Sequence, residues 1–116
     1  MKSTGPRPWG ARVVFALLAL GAAGCALAMD DDAAKALLKT NGCTKCHAID
    51  KSKKGPSYQK VAKDHKGKAD AEDKIVKAIT TGPKVKLDDG SEEEHKKIGS
   101  KDPAEVKALA QWILKQ

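Results

Sequence analysis

The 116-residue sequence predicts a small all-α domain of three to four helices joined by loops. Three observations carry that reading. Residues from 29 onward show three stretches with helical periodicity or helix-end punctuation, separated by Gly- and Lys-rich segments. The same residues contain Tyr58 and Trp112 as their only aromatics, too few large side chains for a chain this short to build a core unaided. Finally, Cys43-Thr44-Lys45-Cys46-His47 has the C-x-x-C-H pattern, the attachment signature of a c-type haem. An apolar macrocycle held covalently would replace the missing side chains, and the helices would wrap around it.

The first residues read as an export signal. Basic Lys2, Arg7 and Arg12 precede the apolar run Val13 to Leu20, and small residues follow, ending in Ala26-Leu27-Ala28. Cleavage after Ala28 divides the chain into a signal peptide (1–28) and one domain (29–116). The apolar run is too short for a membrane span, so no span is expected. Cys25, after Ala22-Ala23-Gly24, invites comparison with an acylated lipoprotein cysteine, but the Ala-x-Ala that follows favours its removal with the signal.

Asp30-Asp31-Asp32 followed by Ala33 to Lys39 predicts the first helix, with acids at its positive end, lysine near its negative end and Asn41-Gly42 as its stop. Asp50 to Gly67 lacks a sustained apolar period and reads as loop, with a short turn near Ser57 to Lys63. Ala69 to Thr81 returns to helix, with Ile75, Ala78 and Ile79 on one face and Gly82-Pro83 as terminator. Lys84 to Ser100 reads as a polar loop that needs an anchor. In the last segment Asp102 is an N-cap, Pro103 takes the first helical position and Glu105 falls three after the cap. Val106, Leu109, Ala110 and Ile113 then form one apolar stripe.

Two thiols three positions apart can reach two vinyl groups along one porphyrin edge, and the next residue brings an imidazole to the iron. Cys43 and Cys46 are therefore expected to form thioethers, with His47 as the proximal axial ligand. Three other uses of the pattern compete. A thioredoxin-like pair needs a βαβ context that is absent, a zinc site needs a second Cys or His pair, and a Cys43–Cys46 disulfide closes too small a loop to stabilise much.

On these residues the sequence resembles the small bacterial class I monohaem cytochromes c. Asn41-Gly42-Cys43-Thr44-Lys45-Cys46-His47-Ala48-Ile49-Asp50 is similar to the family's attachment segment, Gly55-Pro56-Ser57-Tyr58 to the turn after it, and Ala108 to Leu114 to its terminal helix. The resemblance implies that the Pro56 carbonyl accepts a hydrogen bond from His47, and that the terminal helix crosses the first, with Leu38 and Trp112 the candidate contact. It also implies haem attachment outside the cytoplasm, hence a periplasmic protein.

One departure matters more than the matches. Family members place a methionine ligand in the loop before the last helix, whereas the Mets here are Met1 and Met29. His95 stands in the equivalent region, 48 residues after His47. Bis-histidine ligation by His47 and His95 is the expectation, with Lys96, His65 or water as rivals. Since methionine raises the potential of cytochromes c, its replacement by histidine predicts a low-potential one-electron carrier rather than an enzyme. The alternatives are a haem-based sensor of carbon monoxide or nitric oxide, and a small subunit of a larger oxidoreductase.

From residue 29 the chain carries 19 Lys, no Arg and 15 Asp plus Glu, a net of +4 before two haem propionates are counted. Lysine without arginine or interleaved aromatics is weak evidence for a nucleic-acid surface, and none is expected. Lys45, Lys51, Lys53 and Lys54 around the attachment segment suit an acidic redox partner, and a monomer is expected.

Overall fold

The computed structural model describes residues 28–116 and Gly5; the rest of the proposed signal segment, Cys25 included, lies outside the described residues. Four α-helices carry the domain: α1 (Asp31–Thr40), α2 (Tyr58–His65), α3 (Ala71–Thr81) and α4 (Pro103–Leu114). Among the described residues the only sheet is an antiparallel hairpin, β1 (Lys84–Lys86) with β2 (Glu92–Glu94), so the expected all-α class stands. No described helix is long and apolar enough to cross a membrane.

The helix starts follow from their caps. Asp30 accepts from the Ala33 N–H at 2.7 Å, and Asp102 accepts from the Ala104 N–H at 3.0 Å with Pro103 opening α4. Gly82, at φ +63°, closes α3 in the left-handed conformation that glycine adopts without steric cost. Two expectations needed correction. The turn near Ser57 is a full helix, α2, capped by Ser57 Oγ accepting from the Lys60 N–H at 3.1 Å. The polar loop from Lys84 contains the hairpin, turned by Leu87 to Gly90, where the Gly90 N–H donates to the Leu87 carbonyl at 2.9 Å and Gly90 sits at φ +85°.

Helix α4 is the hub, packing against α1, α2 and α3. Its stripe Val106, Leu109, Ala110 and Ile113 is buried with Ala34 and Leu38 of α1 and Ile75 and Ile79 of α3. Leu38 and Trp112 are both members of this cluster. Trp112 ties three elements together: its Nε1–H donates to Asp31 Oδ1 at 2.8 Å, and its ring meets Tyr58 edge to face at 6.1 Å. Ile98, the one buried apolar side chain of the 84–100 segment, joins the same core and anchors that segment beside α3.

Leu109 is wholly buried at the centre of this arrangement. Leu109→Ala should lower the unfolding free energy of the haem-loaded protein by roughly 2–5 kcal/mol, the range for a truncated core leucine, read from denaturant melts.

Candidate functional site

The C-x-x-C-H segment leaves α1 through Gly42, whose φ of +71° turns the chain directly into a 3-10 turn over Cys43–Lys45. Backbone bonds to the Cys43 carbonyl from the Cys46 and His47 N–H groups, at 3.2 and 3.0 Å, close this turn. Both thiols are free, Cys43 buried and Cys46 half-buried. Burial pushes the Cys43 thiol up from its ordinary pKa, and the Lys96 charge works against that shift.

The loop after His47 folds back beneath its ring. The Gly55 N–H donates to the Cys46 carbonyl at 2.9 Å, and the Tyr58 N–H donates to the Ala48 carbonyl at 2.9 Å. This return places the Pro56 carbonyl 2.6 Å from His47 Nδ1, the contact the resemblance implied. A carbonyl can only accept, so the proton sits on Nδ1 and the Nε2 lone pair is left free. Burial lowers the His47 pKa, the Pro56 bond opposes it and His95 adds to it, so the ring is held in the neutral form a metal requires. Gly55 permits the close approach: a Cβ there would lie 2.8 Å from His47 Cε1.

His95 reaches the same place from the hairpin. The His95 N–H donates to the Pro83 carbonyl at 2.8 Å, one step beyond the Lys84↔Glu94 pair, so the ladder sets its position. Gly82 lets the strands close here, since a Cβ at that residue would come within 3.0 Å of the His95 carbonyl. His95 Nδ1 lies 2.8 Å from the Lys96 carbonyl, which frees its Nε2 by the same reasoning. The His47 and His95 ring centroids are 6.0 Å apart. Two rings at that separation, each with a free Nε2, are close enough to hold one metal ion between them.

Among the described residues the rings packed on His47 are those of His95 and Tyr58; His65, at the end of α2, is not one of them. Lys96 is exposed, and its methylenes run past Gly42, where a Cβ would meet Lys96 Cδ at 3.6 Å. Met29 packs at the margin of the helical core.

Sequence reasoning treated Tyr58 only as part of a turn. Its ring stacks on His47 at 5.2 Å, and its buried hydroxyl has no hydrogen-bond partner. Burial and the two thiols push that hydroxyl well above the usual phenol range, so it is a donor. An orphaned donor beside two thiols and two Nε2 lone pairs fits a bound haem, which supplies both iron and polar groups. A separate groove of about 710 Å³ between α3 and the start of α4 contains none of these residues.

Residues 32–116 match the family model described as Cytochrome c. The cytochrome c-551 of Pseudomonas aeruginosa is 36% identical over 115 residues, covering 88% of this chain and 96% of that protein. The cytochrome c-552 of Hydrogenobacter thermophilus is 37% identical over 88 residues, covering 67% of this chain and 76% of that one. Among solved structures, the class 1 cytochrome MtoD of Sideroxydans lithotrophicus ES-1 superposes with a TM-score of 0.71 at 54% identity, covering 76% of this chain and 97% of that one.

Gly55→Ala should drive a methyl group into the His47 ring, which the Pro56 bond prevents from yielding. The expected loss is about 1–3 kcal/mol of holoprotein stability, with a shifted ferric absorption spectrum. An unchanged melt and spectrum would show that the ring is not so tightly seated.

Proposed function

The chain belongs to the cytochrome c family, and from that premise we propose a periplasmic carrier of low potential whose iron is held by His47 and His95. As a family member it is an electron-transfer protein, not an enzyme, and it carries one covalently bound haem c. The haem supplies an iron that cycles between ferric and ferrous states; the chain's work is placement and tuning.

In this reading Cys43 and Cys46 form the thioethers, and His47 ligates through Nε2 while the Pro56 carbonyl fixes its ring and raises its basicity. His95 would hold the same iron through its own Nε2. The observation that carries the assignment is the 6.0 Å spacing of two rings whose Nδ1 atoms are each tied to a backbone carbonyl. Held by both rings, the iron would admit a small ligand only when His95 leaves. Without the methionine that raises potential in this family, the potential should lie lower.

Lys45, Lys51, Lys53 and Lys54 are all exposed around the attachment loop, which supports docking of an acidic redox partner at the haem edge. Lys53 is pinned there by its Nζ donating to the Thr44 carbonyl at 2.7 Å. The basic, apolar and small-residue sequence of residues 1–28 supports export to the periplasm.

Near-infrared magnetic circular dichroism of the ferric protein should show the charge-transfer band of a bis-imidazole pair. A high-spin or histidine–water signature would overturn the assignment. His95→Ala should open the iron to carbon monoxide, and His95→Met should raise the potential on the order of 0.1 V, a fraction of the about 0.8 V that axial ligation spans.

A further inference from the structure

We propose that Asn41 is a positioning residue for the sixth ligand, a side-chain clamp that holds the segment carrying His95 against the segment carrying the cysteines. The inference rests on the His95 reading above and adds a residue to it.

The stretch from His95 to Gly99 is tied down by three hydrogen bonds. The His95 N–H donates to the Pro83 carbonyl at 2.8 Å, and the Ile98 N–H donates to the Ile79 carbonyl at 2.9 Å. Both bonds fasten the stretch to α3 and its continuation. The third is different: the Gly99 N–H donates to Asn41 Oδ1 at 2.7 Å, joining residues 58 positions apart. It is the one bond of the three that reaches the polypeptide next to Cys43, and therefore the one that relates the proximal attachment point to the distal ligand.

The Asn41 amide is locked for this task. Its Nδ2–H donates to the Leu37 carbonyl at 2.8 Å, at the end of α1, so both ends of the planar group are engaged. Turning the amide over would set its NH₂ against the Gly99 N–H and its oxygen against the Leu37 carbonyl, breaking both bonds at once. The bond to Leu37 is part-buried, whereas the bond from Gly99 lies at the surface. Apart from Ile98, the stretch from His95 to Ser100 has no buried side chain, so a single clamp weighs heavily in how often this segment swings away.

The experiment is carbon monoxide binding to the reduced haem-loaded protein, since entry requires His95 to leave. Asn41→Ala should raise the binding rate about 2- to 10-fold, the range expected for one lost hydrogen bond. Asn41→Asp keeps the acceptor for Gly99 but loses the donor to Leu37, so it should bind within about twofold of the parent. Gly99→Pro removes the N–H and leaves the α1 cap intact; it should accelerate binding as Asn41→Ala does and serves if the alanine variant does not mature. Equal acceleration by Asn41→Asp and Asn41→Ala would overturn the clamp and leave Asn41 as a helix cap alone. Unchanged rates in Asn41→Ala and Gly99→Pro, with His95→Ala fast, would also remove the clamp while sparing the ligation. A ferric spectrum that His95→Ala does not alter would remove both.

Discussion

The hydrogen bond from His47 Nδ1 to the Pro56 carbonyl is the constraint on which the domain is organised. To make it, the chain after His47 must turn back within nine residues, and the Gly55 and Tyr58 backbone bonds are the hardware of that turn. The return delivers Ser57 as the cap of α2 and Tyr58 as a ring that stacks on His47 and meets Trp112. Trp112 in turn reaches Asp31 at the start of α1. One orienting bond thus propagates through two aromatic contacts to the packing of the first and last helices, so the site and the core are a single construction.

Much of this was legible in the sequence, and the misses have physical causes. Helices α1 and α4 announce themselves through Asp30 and through Asp102-Pro103, local signals that act within one turn. Helix α2 does not: Tyr58 and Val61 are its only apolar residues other than alanine, and its stability comes from packing on α4 rather than from its own periodicity. The hairpin was hidden because Lys-Val-Lys is too short for its alternation to stand out and Glu-Glu-Glu has none. Its pairs, Lys84↔Glu94 and Lys86↔Glu92, are complementary in charge instead. His95 could be placed by its distance from His47 and from the last helix. Asn41 could not, because a bond across 58 residues leaves no local trace.

The charge around the attachment loop is less uniform than the lysine content suggests. The Asp88 N–H donates to the Lys54 carbonyl at 3.4 Å, so the acidic hairpin turn lies against the lysine-bearing loop. Lys54 helps hold the Asp89 carboxyl below its usual range, behind the larger effect of bonds from Ser91. A basic patch bordered by acids contributes more to the orientation of an approaching partner than to the strength of attraction.

The burial of Cys43 carries a consequence for biogenesis. In the folded chain its side chain sits under α1 and within the cluster of Leu38, Tyr58 and Trp112, with the residue only 8% exposed. A sulfur so enclosed is not accessible to any catalyst that must grip both thiol and vinyl group. For the thioether proposed at Cys43, that burial would place attachment at a stage when the polypeptide is still open.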